Sequence, residues 1–275
     1  MSRKVASEFV QGYKTWVSPE THPLKKIVFG LLSINEGDTF QWNSDSKETA
    51  FILLSGKATI KSETLSIDLG PRRSVFHQKA SAIWIPPEYS VKISTDYGNT
   101  RFAVCQGPME PKNNIEPVVV YPDQVTGGRR GAANWSRDVY DIIHLNTPSK
   151  SLVIGETFNL PGNWSSYPPH KHENDNYPYE TRFEEIYFYQ LDPEYGFGLQ
   201  RLYSDDLSLD KAIVLKNGDI VVIDRGYHPV VAAPGVSLYY LWVLAGEQRL
   251  LAAKDDPKFA WLHQFAKIPK QNKNE

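Results

Sequence analysis

The sequence contains a single cysteine, Cys105, so no disulfide can form within the chain, and a reducing, cytoplasmic home is the simplest expectation. It has no apolar run approaching the ~18 residues of a membrane helix. Its first residues, MSRKVASEFVQGY, lack the apolar centre of a secretion signal. Neither charge dominates: 30 Lys and Arg stand against 32 Asp and Glu, a formal net charge of -2, and no basic block could track phosphates. Membrane insertion and nucleic-acid binding are therefore not expected. Segments with apolar residues at helical spacing are scarce too. Only the N-terminal stretch and PKFAWLHQF (257–265) read as short helices.

What the chain does have is β pattern. KIVFGLLSI (26–34), TAFILLSG (49–56), KATIKS (57–62), SAIWIP (81–86) and SVKIST (90–95) read as strands in the first half. SLVIGETF (151–158), EEIYFYQL (184–191), GFGLQRLY (196–203), AIVL (212–215), DIVVID (219–224) and LYYLWVLAG (238–246) do so in the second. They are rich in Val, Ile and aromatics and are separated by Gly, Pro, Asn and Asp, which predicts an all-β sandwich or barrel. Residues 107–136, rich in Pro, Gly and Asn, break the rhythm and read as a linker. The expected organisation is an N-terminal β domain over 1–106, that linker, and a C-terminal β domain over 137–275.

The halves carry a short internal repeat. IWIPPEYSV (83–91) lies on VVIDRGYHPV (221–230), with Tyr89 against Tyr227 and Ser90 against His228; ETAFILLSG (48–56) lies on EIYFYQLDP (185–193). Nothing in the first half matches the YPPHKH of residues 167–172. In an extended segment His170 and His172 share one face, about 7 Å apart, with Lys171 opposite. Glu184 and Glu185 open the following strand, and His228 follows GDIVVIDRGY. Three imidazoles and a carboxylate suit a borderline divalent cation such as zinc, manganese, iron or nickel. A lone H-x-H is more often a polar loop; the ordered set of H-x-H, Glu and a third His is far more specific.

That order resembles the cupin pattern, whose first motif is H-x-H followed by Glu and whose second is a glycine-flanked strand followed by His. Gly218, Asp219, Gly226 and His228 stand in place, but Asp224 occupies the usual proline position and one residue is missing before His228. The insertion ENDNYPYETRFE lengthens the gap to the glutamate. By that resemblance the ligands are His170, His172, Glu185 and His228, with Glu184 facing away. SSYPPHKHENDN, FEEIYFYQLDPEYGFGLQRLYSDD, NGDIVVIDRGYHPV and YYLWVLAG together resemble the bicupin 5-deoxyglucuronate isomerases of inositol catabolism, strongly over 137–262 and more weakly over 1–106. The related 5-keto-4-deoxyuronate isomerases share the ligand set.

The resemblance implies two jelly-roll β-barrels, one divalent ion in the second (zinc foremost), and an aldose–ketose isomerase acting on a small sugar acid. It implies conversion of 5-deoxy-D-glucuronate to 2-deoxy-5-keto-D-gluconate, with no base identified. A substrate carboxylate calls for a cation: Arg201 and Arg182 are the candidates, with Gln200 adjoining Arg201 so that only one of the two can face the cavity. GGRRG (127–131) reads as a solvated basic loop, and Trp84, Trp242, Tyr187 and Tyr189 as core. His22, His77, His144 and His263 have no ligand-like company. A homo-oligomer fits this class. A 5-keto-4-deoxyuronate isomerase, an iron-dependent cupin dioxygenase and a non-catalytic sugar-binding bicupin are the alternatives.

Overall fold

The computed structural model describes residues 3–111 and 114–266. It is built almost entirely of strands. In the first half a large sheet runs through Val118–Val120, Ala82–Ile85, Lys47–Lys61, Thr100–Pro108, Val28–Ile34 and Gly12–Val17. Thr39–Asn43, Ser66–Arg72 and Ser90–Ser94 close a barrel against it. In the second half a seven-stranded sheet runs through Lys4–Ala6, Asp219–Ile223, Phe183–Asp192, Ser237–Gly246, Leu152–Asn159, Arg137–Ile143 and Thr126–Arg130. A four-stranded sheet faces it, in the order Trp164–Ser165, Val230–Ala232, Gly198–Tyr203 and Asp210–Leu215. No helix of the described residues is long and apolar enough to cross a membrane.

Each large sheet buries both faces. One face lines its own barrel: Phe51, Leu53, Ile83 and Phe102 in the first, Tyr187, Tyr189, Val221 and Tyr240 in the second. The other faces meet in a shared core where Phe29, Ile52, Trp84 and Ala103 pack with Ile154, Phe188, Val222 and Leu241. The Phe29 and Phe188 rings lie 5.6 Å apart. This double burial explains why Phe183–Asp192 and Ser237–Gly246 read as near-continuous apolar runs rather than alternating ones. Between the halves, Arg72 pairs with Glu156 at 2.7 Å with both side chains almost fully buried.

Several expectations change. The N-terminal stretch is strand, not helix: Lys4–Ala6 pairs with Asp219–Ile223 in the second sheet, so the chain's first segment completes the second barrel. Asp224, which stands where the cupin motif has proline, is held there by Arg3 through bonds of 2.6 and 2.9 Å. Residues 49–62 form one bent strand, Lys47–Lys61, with a bulge at Gly56. There φ is +95° and a Cβ would lie 2.4 Å from the Thr100 hydroxyl, so only glycine fits. The stretch 107–136 is not a plain linker. Val118–Val120 adds to the first sheet and Thr126–Arg130 to the second. The expected C-terminal helix is a short turn, Ala260–Leu262, followed by His263–Ala266. The expected second domain reaches residue 275, and its residues 267–275 lie outside those described.

Candidate metal centre

His170 sits on the two-residue strand His170–Lys171, which pairs with Lys254–Asp255. Alternation turns the His170 and His172 rings to one side and sends Lys171 to the other. There its ammonium bonds Asp205 and, at 3.1 Å, Glu173. Asp205 also accepts from the Tyr227 hydroxyl at 2.8 Å, and Glu173 from the Gly226 amide at 2.6 Å. These bonds tie the H-x-H strand to the turn that presents His228. Gly226 takes φ +88°, and a Cβ there would lie 2.7 Å from the Tyr203 carbonyl oxygen.

The three imidazoles converge. Their ring centroids are 4.7 to 5.3 Å apart, and one ring nitrogen of each lies within 4.8 Å of the others. Glu185, on Phe183–Asp192, puts Oε2 3.4 Å from His172 Nε2 and 3.3 Å from His228 Nε2. Its neighbour Glu184 faces the other way and accepts from the backbone amides of Lys25, Lys26 and Ile27 at 2.6 to 2.7 Å.

The protonation states follow from burial and partners. His228 Nδ1 donates to the Gly226 carbonyl at 3.0 Å, and His170 Nδ1 to that of Pro168 at 3.3 Å. Each bond requires the proton on Nδ1 and leaves Nε2 a bare lone pair. Burial holds His170 well below the usual histidine range, helped by the neighbouring His228 and His172. Burial also lowers His228, against the pull of Glu185. His172 Nε2, His228 Nε2 and Glu185 Oε2 are buried and make no hydrogen bond. Polar atoms gathered without hydrogen-bond partners are costly in a protein interior. A cation among them removes that cost, so three nitrogens and one oxygen of this kind are compatible with a borderline divalent metal.

Beside the cluster opens a cavity of about 280 Å³. Its wall includes Arg130, Arg137, Asp141, Ser166, Tyr187, Tyr240 and Trp242. Tyr187 and Tyr240 stack at 4.4 Å. Ser166 lies between their hydroxyls, 2.9 Å from Tyr187 and 3.3 Å from Tyr240. Burial, reinforced by Glu185, raises Tyr187 far above the usual phenol range, and burial raises Tyr240.

The expected carboxylate contacts are not in this cavity. Arg201 is on the outer face, bonded to Asp210 at 2.8 and 2.9 Å and about half exposed. Strand alternation puts Gln200 inside instead. It accepts from Tyr189 at 3.0 Å and donates to the His228 carbonyl at 3.4 Å, supporting the histidine turn rather than lining the cavity. Arg182 lines a separate depression of about 500 Å³, which also touches His172. The cavity arginines are Arg137 and Arg130, and the latter belongs to the GGRRG stretch that reads as a solvated loop. Its strand becomes visible only through pairing with Arg137–Ile143. Tyr187 and Trp242 are buried as expected, yet they also form cavity wall.

A model of the KduI/IolB family matches residues 2–262. The 5-deoxy-glucuronate isomerase of Geobacillus thermodenitrificans is 36% identical over 265 residues, covering 95% of each chain. That of Bacillus subtilis strain 168 is 33% identical over 249 residues, covering 90% of this chain and 91% of its own. Among solved structures, an IolB-like protein of Salmonella typhimurium superposes with a TM-score of 0.89 at 28% identity, covering 94% of this chain and 98% of its own. An oxalate decarboxylase of Lactobacillus farciminis, at 11% identity, superposes with a TM-score of 0.66 over 94% of this chain and 88% of its own, a likeness of fold alone. The paired jelly-roll barrels are those of a bicupin.

Proposed function

The chain belongs to the KduI/IolB family, and on that footing we propose that it is an aldose–ketose isomerase converting 5-deoxy-D-glucuronate to 2-deoxy-5-keto-D-gluconate. The observation that carries this reading is the cluster of His170, His172, His228 and Glu185, with its buried, partnerless atoms, opening on a cavity sized for a small sugar acid. These four residues hold one divalent cation, zinc foremost, with manganese, iron and nickel suited to the same donors. A cation so held supplies positive charge where negative charge develops on the sugar oxygens as the carbonyl moves between C1 and C2.

The chain's own groups do the rest. The Nδ1 bonds of His170 and His228 fix their rings with Nε2 presented to the site. The Tyr187 hydroxyl, kept protonated by burial and bonded to Ser166, which also reaches Tyr240, presents a hydrogen-bond donor at Oη to a sugar oxygen. Asp141 is the other carboxylate of the cavity wall and is our candidate proton acceptor. Trp242, Leu244 and Leu251 keep part of the wall apolar and limit water.

The test follows the aldehyde proton of 5-deoxy-D-glucuronate by NMR. Metal-loaded protein should consume it; chelated protein and His228→Ala should lose nearly all turnover while keeping the fold, because the barrels have large apolar cores of their own. Equal conversion in all three would exclude metal catalysis, and binding of the sugar without conversion by loaded protein would leave a non-catalytic sugar-binding protein.

A further inference from the structure

In the hairpin made by Thr126–Arg130 and Arg137–Ile143, Arg130 stands directly opposite Arg137. Side chains directly opposite one another on paired strands lie about 5 Å apart at Cβ, and like charges there repel. Both arginines line the cavity beside the histidines. Among the described residues no carboxylate comes within ion-pair distance of either one. Four other arginines are answered by carboxylates, Arg72 by Glu156, Arg3 by Asp224, Arg129 by Asp138 and Arg201 by Asp210, whereas Arg101 has no ion pair either but lies over the Phe9 ring and lines no part of this cavity. Arg137 Nε is buried with no hydrogen-bond partner, and the bond the guanidinium does make is to the Trp135 carbonyl, at 3.3 Å. Burial, with Arg130 adding to it, weakens the hold of Arg137 on its proton.

The backbone has made room for this unanswered charge. Gly131 takes φ +79°, and a Cβ there would sit 2.8 Å from Arg137 Nη1 and 2.3 Å from the Trp135 carbonyl oxygen. Gly127, in the same hairpin, would drive a Cβ to 2.1 Å from the Val139 carbonyl oxygen. The glycines of GGRRG thus let the two strands close and seat the Arg137 guanidinium.

From this juxtaposition we propose that Arg130 and Arg137 form the seat for the substrate's carboxylate, so that the acid end of the sugar lies on the hairpin and its carbonyl end on the histidines. It rests on the isomerase reading only for the identity of the sugar. A guanidinium offers a carboxylate two parallel N–H donors, and the anion relieves the repulsion between the arginines. Arg137 supplies the enclosed contact and Arg130, which is exposed, the outer one.

The test compares 5-deoxy-D-glucuronate with 5-deoxy-D-glucose, which has a hydroxymethyl group in place of the carboxylate, in wild type, Arg137→Gln, Arg137→Lys and Arg130→Gln. Arg137→Gln should lower kcat/KM for the acid by about thirty-fold or more, chiefly through KM, and lower it for the neutral sugar far less, so that the acid-to-neutral ratio falls. Arg137→Lys should recover part of the loss, and Arg130→Gln should lose less. An acid-to-neutral ratio that is the same in all four proteins overturns the seat. In parallel, calorimetry follows the C1-reduced acid, which has no carbonyl to move. Its binding should fall in Arg137→Gln. If that fall is seen but wild type isomerises nothing, the seat stands and the isomerase reading fails; if wild type isomerises and every protein binds the reduced acid equally, the seat fails and the isomerase reading stands.

Discussion

Where the second barrel holds Glu185, the first holds Thr49. The register makes the two equivalent: Thr49 pairs with Ile85 and Gln106, and Glu185 with Ile223 and Leu244. In the same frame Phe51 stands for Tyr187, Leu53 for Tyr189 and the exposed Ser90 for His228. The first interior is closed by aromatic edges, Trp42 on Phe51 at 5.4 Å and Phe51 on Phe102 at 6.1 Å. The second keeps a cavity lined by hydroxyls, carboxylates and arginines. Two copies of one architecture have divided the work: an apolar interior gives the first barrel stability, and polar atoms spared from hydrogen bonding give the second a site.

The outer faces have stayed alike. Glu184 accepts from backbone amides of Lys25, Lys26 and Ile27, which lead into Val28–Ile34 of the first half. Glu48 accepts from backbone amides of Lys150 and Ser151, which lead into Leu152–Asn159 of the second. Each barrel thus offers one carboxylate to the other, Glu48 fully buried and Glu184 half-buried. The repeat read from sequence laid Glu48 on Glu185, one residue off, and on a strand one residue exchanges the faces. Glu48 corresponds to Glu184, the residue that joins the barrels, and the ligand position falls on Thr49.

The largest effect that sharpens this contrast is at the ligand position. Glu185→Gln should remove bound metal and lower kcat/KM by well over a hundred-fold, since changes one shell further out already cost about 10–100-fold. Thr49→Val should leave both unchanged, because the Thr49 hydroxyl is buried without a partner and its loss breaks no bond. Elemental analysis with kinetics reads the pair; comparable losses in both would break the division of labour. Next is the link between the barrels. Arg72→Met leaves Glu156 charged and buried, and should lower unfolding free energy by about 3–5 kcal/mol in chemical denaturation. A loss below about 1 kcal/mol would mean the interface does not depend on that pair. Smaller still are Glu48→Gln and Glu184→Gln, each expected to cost about 1.5–3 kcal/mol, as for hydrogen bonds to a charged group. The cost should be larger for the fully buried Glu48, which also accepts from Trp84 and the Ser151 hydroxyl, than for the half-buried Glu184, with metal content unchanged in both. Metal loss in Glu184→Gln but not in Glu48→Gln would contradict the assignment of Glu184 to the interface.

Strands buried on both faces were the most legible in the sequence, because continuous Val, Ile and aromatic runs between turn residues have few other readings. Half-exposed Thr39–Asn43 and Ser66–Arg72, which carries Gly70 and Pro71, offered no such run. The H-x-H pair was legible because period two is a property of any extended segment, and it carried His170 and His172 to one side. The arginine seat was not. Arg130 and Arg137 are seven positions apart in a stretch rich in Gly and Asn, and only the hairpin register makes them neighbours. Arg201 misled for the complementary reason: alternation decides between Gln200 and Arg201, but not which of the two points inward.

A single metal-dependent centre in the second barrel makes activity follow metal content, which is measured by restoring metal to chelated protein while following isomerisation of 5-deoxy-D-glucuronate. Activity should rise linearly from near zero and level off at one divalent ion per chain. A plateau at two ions per chain, or full activity before any metal is returned, would contradict it.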